Sequence, residues 1–287
     1  MWPTSRAHDA LVSSANLNTL SGKIRYKMAF DRNPLLTMLA DKSEVRNYVE
    51  ERVGAKYLVK QFGVFENSAQ LRGFTFPSEF VIKSNHGSGG LILVSSQADQ
   101  NKPLPKKINK GDWSVFQVHP KRFNVENAIR ISSTWLKQNY CFRVGKFPEW
   151  AYKNIKPVIL VEEFLRDIRG GLPWDYKLTM INGKCEFIQV RTMTERRDLF
   201  TPEWEPIEGT NLYSSSEVQI SKPLHLREMI EVAEKLSKGI DFIRVDLYET
   251  DMGVKFGELT NYPDGGLGTF EPLELDFYLG AKWSPNY

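Results

Sequence analysis

No run of about 18 apolar residues occurs anywhere in this 287-residue chain, so no segment is expected to cross a membrane as a helix. The opening residues, Met1-Trp-Pro-Thr-Ser-Arg6, lack the charged-then-apolar pattern of a secretory signal. Cysteine is scarce: Cys141 and Cys185 stand far apart in apolar surroundings, in neither a C-x-x-C nor a Cys/His metal spacing. A reducing cytoplasmic compartment is the expectation. Strong charge of one sign is also missing. The net charge of +3 comes without a long Lys/Arg block, so a nucleic-acid partner is not expected. The lysines between Lys102 and Lys110 sit among prolines and read as a solvated loop, with contact to an anionic substrate as the alternative. Internal repeats and low-complexity segments are absent as well.

What is present suits a folded globular chain. Hydrophobic residues make up 41% and charged residues 25%, ordinary values for a soluble protein, and 12% aromatic residues argue against disorder. The length allows one large domain or two to three lobes with a sizeable core.

The most informative segment is Asp241-Phe-Ile-Arg-Val-Asp-Leu-Tyr-Glu249 followed by Val254-Lys-Phe-Gly-Glu-Leu-Thr-Asn261. Both halves alternate as strands, and Thr250 to Gly253 supplies a turn. Period two puts Phe242, Arg244, Asp246 and Tyr248 on one face, and Val254, Phe256, Glu258 and Thr260 on one face of the partner. Closing the hairpin near Asp251 sets Asp246 opposite Glu258. Like charges facing across a sheet are unfavourable by up to about 1 kcal/mol, so a compensating cation is expected. Mg²⁺ with phosphate is the simplest; solvated charges on a half-exposed hairpin are the alternative.

Elsewhere the first 75 or so residues read as mainly helical, with Asp41-Lys-Ser-Glu44 resembling a capping box before a helix that Gly54 ends. Residues 63 to 77 read as a loop. Glu79 to Lys83 and Leu91 to Val94 read as strands around Asn85-His-Gly-Ser-Gly-Gly90. Asn124 to Asn139 and the segment after Pro223 read as helices. Val158 to Val161 is a buried strand. Asn182-Gly183 is a hairpin turn between Tyr176–Ile181 and Cys185–Val190. Paired antiparallel strands with helices between them predict an α+β fold in two lobes.

Two further segments carry candidate chemistry. Lys83 precedes Gly87, Gly89 and Gly90, whose backbone N–H groups can approach an anion; a simple glycine-rich turn is the alternative. Because a strand follows, the loop is neither a Walker A loop nor a Rossmann fingerprint. His86 is either a substrate contact or a locally bonded turn residue. The apolar strand entering Glu162-Glu-Phe-Leu165 can supply an apolar slot and backbone groups for adenine, or be plain core.

Together these segments resemble the TupA-like ATP-grasp family of the ATP-grasp superfamily, associated with teichuronopeptide and surface-polysaccharide biosynthesis. The resemblance rests on Asp41-Lys42, Phe76-Pro77, Val81 to Gly90, Trp150 to Lys153, Ile159 to Leu165, Asp175 to Leu178, Arg244 to Tyr248 and Gly257 to Gly266. It covers about residues 20 to 285. It implies two α+β lobes clasping ATP: a helical N-terminal segment (1–75), a small lobe (76–160) and a large lobe (161–287). It implies that Lys42 and Lys83 hold ATP phosphates under the loop of His86, Gly87, Ser88, Gly89 and Gly90. Glu162, Glu163, Phe164 and Leu165 would border adenine, with Asp175 and Lys177 nearby. Asp246 and Glu258 would hold Mg²⁺, and Arg244 with Lys83 would serve the transferred phosphoryl group. The family often closes its metal set with Glu-x-Asn. Here Thr260 stands in that position and Asn261 follows, so either Thr260 or a re-aimed Asn261 completes the set.

The implied activity is ATP- and Mg²⁺-dependent carboxylate–amine ligation through an acyl phosphate, joining an amino acid to a uronic-acid carboxylate. Arg191, Arg196 and Arg197 are candidate carboxylate grips or surface arginines. A glycosyltransferase, a sugar kinase and a non-catalytic nucleotide- or glycan-binding scaffold are the rival readings. Peripheral membrane contact would suit a lipid-linked substrate.

Overall fold

The computed structural model describes residues 5–143, 146–192, 197–211 and 220–287. Four helices come first: α1 (Ser5–Ser13), α2 (Leu20–Phe30), α3 (Leu35–Ala40) and α4 (Val45–Val53). The sequence reading holds for these helices but fails after them, because strand β1 (Gln61–Phe65) opens the stretch expected to be a loop. β1 pairs antiparallel with β5 (Ile159–Glu163), so its backbone groups are satisfied by a strand some hundred residues away. No local pattern signals that pairing.

β1 and β5 join β2 (Phe80–Ser84), β3 (Leu91–Val94) and β4 (Val115–Val118) in a five-stranded sheet of order β1-β5-β2-β3-β4. Helix α5 (Val125–Leu136) covers one face. There Ala128, Ile131 and Trp135 pack with Phe80, Ile82, Ile92, Val94, Ile159 and Val161. Alternation then turns Val81, Lys83, Leu91 and Leu93 to the other face.

The second sheet has the order β11-β10-β6-β7-β8 and is antiparallel throughout. Its strands are β6 (Asp175–Ile181), β7 (Lys184–Arg191), β8 (Arg197–Phe200), β10 (Phe242–Thr250) and β11 (Gly253–Thr260). A small two-stranded pair, β9 (Thr210–Asn211) with β12 (Phe270–Glu271), and helices α6 (Leu226–Ser237) and α7 (Leu273–Ala281) complete the lobe. Tyr176, Leu178, Met180, Ile243, Val245 and Leu247 pack on Met229, Val232, Ala233 and Leu236 of α6. Leu39 of α3 and Val45, Tyr48 and Val49 of α4 share that core. Asn182 and Gly183 make the expected turn between β6 and β7, both with positive φ. Among the described residues no helix is long and apolar enough to cross a membrane.

The β10–β11 hairpin sets Asp246 opposite Glu258, as its sequence predicts, but by a different route. Near the turn Thr250 pairs with Gly253 and Leu247 with Phe256; the register then shifts, so Asp246 meets Glu258. The residue left over is Gly257. This bulge reverses the alternation. Val254 and Phe256 go to the α6 core, whereas Glu258 and Thr260 face Arg244 and Asp246. The expectation that all four share a face fails because uninterrupted period two was assumed.

Candidate active site

The free faces of the two sheets bound a cleft of about 610 Å³. Its large-lobe wall comes from the central strands. Register places Asp246 of β10 between Lys177 of β6 and Glu258 of β11. Arg244 grips Asp246 with two hydrogen bonds, Nε to Oδ1 at 2.6 Å and Nη2 to Oδ2 at 2.7 Å. Lys177 Nζ donates to Asp246 Oδ2 at 2.6 Å and also pairs with Asp175. Arg244 Nη2 further donates to Thr260 Oγ1 at 3.2 Å and lies 3.6 Å from Glu258 Oε1. Burial would weaken the Arg244 charge, but Asp246, Asp264 and Glu258 hold the guanidinium pKa above its ordinary value.

Lys42 approaches the same carboxylates from the N-terminal helices. It sits in the turn between α3 and α4, not on a helix, and its side chain is only 13% exposed. The expected capping box is not formed. Only its Asp41 half is present: Asp41 Oδ1 accepts from the Ser43 N–H at 2.8 Å, from the Glu44 N–H at 3.4 Å and from Asn85 Nδ2 at 2.8 Å. Asn85 thus ties the helical turn to the glycine loop, and its own Oδ1 accepts from the Val158 N–H at 2.8 Å. So placed, Lys42 Nζ lies 3.1 Å from Glu258 Oε2 and donates to the Gly87 carbonyl at 2.6 Å. Burial opposes ionisation of Glu258, yet Lys42, Arg244 and Lys177 hold its pKa down at about 2. Asp175 moves the other way: burial, with the Asp246 charge beside it, outweighs Lys177 and raises its pKa.

The small-lobe wall carries Lys83, Ser88 and Gly89. Gly89 has φ +76°, and a Cβ there would lie 2.0 Å from the Trp113 carbonyl oxygen, so only glycine fits. His86, a sequence candidate, is 2% exposed and faces inward. Its Nε2 lies 3.1 Å from the Trp135 carbonyl and its Nδ1 3.1 Å from Asn85 Oδ1. Burial lowers its pKa to about 4, so a neutral imidazole anchors the loop from below.

Lys83 Nζ meets Glu162 Oε2 at 2.6 Å, and Arg46 lies 3.6 Å from Glu162 Oε1. Glu162 and Glu163 extend β5 itself instead of following it. Beside them a second cavity of about 480 Å³ opens from the main cleft, bordered by Val59, Val81, Leu93, Phe164, Leu172 and Phe256. These apolar side chains share its wall with Lys83, Glu162, Glu163, Asp175 and Arg191.

The structure separates the two candidates for the position after Glu258. Thr260 Oγ1 donates to Glu258 Oε1 at 3.2 Å and shares the cleft. Asn261 turns away and donates from Nδ2 to the Leu36 carbonyl at 2.8 Å. The bulge at Gly257 lies before both residues, so ordinary alternation from Glu258 keeps Asn261 on the far face.

The cleft also holds residues to which the motifs assigned no role, although Tyr152 and Asp264 lie within them. Glu149, Arg143, Tyr140, Tyr152 and Asp264 all line it. Glu149 pairs with Arg143 and is 4% exposed; burial raises its pKa to about 7 despite that guanidinium. Trp150 to Lys153 pointed at this segment, but a lone Pro148-Glu149 in a loop carries no spacing signal. Of the three arginines expected to grip a carboxylate, Arg191 and Arg197 line the cleft, and Arg197 Nη1 lies 3.2 Å from Asp264 Oδ1. Arg196 is outside the described residues.

Among the described residues no three His, Cys, Asp or Glu side chains form a ready metal cage. Asp246 and Glu258, with the neutral Thr260 oxygen, nevertheless fit Mg²⁺, which takes one or two carboxylates and completes its shell with phosphate and water. Asp175 Oδ1, buried without a hydrogen-bond partner among the described residues, is a further oxygen at the same place.

Two α+β lobes closing on a lysine-, arginine- and carboxylate-lined cleft are the ATP-grasp fold. The family model described as TupA-like ATPgrasp matches residues 20–284, and the chain belongs to that family. No curated protein matches the sequence. Similar solved structures include D-alanine–D-alanine ligase from Bacillus anthracis, at 16% identity and TM-score 0.40, covering 79% of this chain and 59% of that one. D-alanine–D-alanine ligase from Helicobacter pylori aligns at 14% identity and TM-score 0.42, covering 86% and 62%. Phosphoribosylamine–glycine ligase from Thermotoga maritima aligns at 12% identity and TM-score 0.42, covering 84% and 55%. This chain therefore spans less than two thirds of the length of each.

Proposed function

We propose that the chain is an ATP- and Mg²⁺-dependent ligase that joins an amine to a carboxylate through an acyl phosphate. The observation that carries this reading is the set of buried Asp246, Arg244 and Lys177 and partly buried Glu258 and Lys42, in one cleft with Lys83 and the glycine loop. Lys42 and Lys83 would neutralise the phosphates. Phe164, Leu165 and the other apolar side chains of the second cavity would take the adenine, with Glu162 and Glu163 at its edge. Asp246, Glu258 and Thr260 would hold Mg²⁺, which when bound offsets charge on the phosphate oxygens. Arg244 is positioned by Asp246 to stabilise the phosphoryl group as it passes to the substrate carboxylate, and this stabilisation is built in before the reaction. The amine then displaces phosphate and forms the amide. A uronic-acid carboxylate and an amino acid are the substrates we infer, with Arg191 and Arg197 in the cleft wall as candidate contacts for an anionic acceptor.

The test is thermal stabilisation by ATP, ADP, GTP and UDP-sugars with and without Mg²⁺, on the wild type and on Asp246→Asn. A ligand that binds only the native state raises Tm, by an amount corresponding to about 2.7 kcal/mol at a hundredfold excess over Kd. A Mg²⁺-dependent ATP shift that Asp246→Asn loses is the expected result. No response to ATP, with one to a UDP-sugar, would replace ligation by glycosyl transfer.

A further inference from the structure

Lys83 has apolar neighbours across the sheet, Leu160 of β5 on one side and Leu91 of β3 on the other. It lines the main cleft and the second cavity alike, so it stands where the two meet. An ammonium on a flexible four-carbon stem settles on whatever partner is in reach and otherwise turns to water. The partner here is Glu162. It stands opposite Val81, two residues before Lys83, and that diagonal across a strand pair is within reach of long side chains. Lys83 Nζ meets its Oε2 at 2.6 Å, and the residue is 4% exposed. The other oxygen, Oε1, lies 3.6 Å from Arg46 Nη1. Arg46 is fixed in its turn. Its Nη2 donates to the Val59 carbonyl at 2.9 Å, and it rides on α4, whose Val45, Tyr48 and Val49 belong to the large-lobe core. The two oxygens of one buried carboxylate are thus divided between a small-lobe lysine and an arginine on a helix packed against the large lobe.

Resting on the nucleotide reading above, we propose that Glu162 is the positioning residue of Lys83, holding its Nζ at the junction of the two cavities, and that Arg46 aligns Glu162. An ammonium carries three N–H donors. One given to Glu162 leaves two for phosphate oxygens, so the pair stays closed when nucleotide binds. The Glu162 side chain then serves the phosphates through Lys83 and does not read the base, whatever its backbone borders. Without the carboxylate, Lys83 lies between Leu91 and Leu160, and the incoming phosphate must order the side chain itself.

The test is calorimetric binding of ATP, inosine triphosphate and adenosine in Mg²⁺. The proteins are wild type, Glu162→Gln, Glu162→Asp, Lys83→Met, Arg46→Met and the double variant Glu162→Gln/Lys83→Met. Glu162→Gln should weaken both triphosphates by the same factor, about 10- to 100-fold, and leave adenosine unchanged. In the Lys83→Met background it should add less than about twofold, because the two residues act as one unit. Glu162→Asp should recover part of the affinity. Arg46→Met, at a residue that borders neither cavity, should weaken the triphosphates but not adenosine. Four results would overturn the role: unchanged or tighter ATP binding by Glu162→Gln, a loss confined to ATP, an equal loss of all three ligands, or additivity with Lys83→Met. A wild type that binds no ATP removes the nucleotide reading and the positioning role with it. A wild type that binds ATP and loses it in Lys83→Met but not in Glu162→Gln removes the positioning role alone.

Discussion

Glu258 is a carboxylate that burial would neutralise and that Lys42, Arg244 and Lys177 keep charged. Its pKa falls from an ordinary 4.5 to about 2 in the folded protein. A depressed folded value contributes stability above the ordinary pKa, and that contribution disappears as pH falls from about 4.5 to about 2. Glu258→Gln should therefore flatten the wild-type decline in urea midpoint between pH 4.5 and 2, and cost about 1–3 kcal/mol at neutral pH through an unpaired Lys42. An unchanged acid limb would contradict the ion-pair geometry. At this scale the presence of Lys83, Asp246, Glu258 and Arg244 in one cleft was legible from motif order, with strand alternation marking Arg244 and Asp246. Glu149 and Asn85 were not: each depends on neighbours distant in sequence.

At the scale of elements, the bulge in β11 decides which face Glu258 presents. A Cβ on Gly257 would lie 2.9 Å from the Tyr248 ring and 3.0 Å from the Asp246 carbonyl. Gly257→Ala should thus cost about 1–3 kcal/mol by overpacking and weaken the Mg²⁺-dependent ATP shift as Asp246 and Glu258 separate. Gly73→Ala, where a Cβ meets nothing within 4 Å, is the control and should leave both unchanged. Urea denaturation and the nucleotide shift check this together; a Gly257→Ala protein indistinguishable from the control would show that the bulge is not needed. A glycine in a strand is a recognised hint of a bulge, but the hint does not reveal that the ladder shifts by one residue.

At the scale of the molecule, the N-terminal helices are joined to the large lobe at several points. Leu39 is 1% exposed in the core shared with α6, and the Tyr48 hydroxyl donates to the Leu236 carbonyl at 2.7 Å. Lys27, fully buried on α2, pairs with Asp31 at 2.8 Å and with Asp241 at 2.9 Å, just before β10. Leu39→Ala should cost about 2–5 kcal/mol through the cavity it leaves, read as a lower urea midpoint in one cooperative transition. Loss of α3 and α4 signal alone, with the sheet intact, would show that the helices fold apart from the lobe.

The α+β class, the hairpins, the order of the lysine, hinge, arginine and carboxylate motifs and the family were written in the sequence. Each depends on spacing along a single strand, turn or helix, and such spacing survives without knowledge of partners. Tertiary structure alone decided that residues 61–65 pair with β5, that Thr260 and not Asn261 faces the cleft, and that His86 looks inward. It also decided that Glu149 sits buried in the cleft wall, paired with Arg143. These are outcomes of register, desolvation and packing between distant segments, and free energies of that kind have no counterpart in a local pattern.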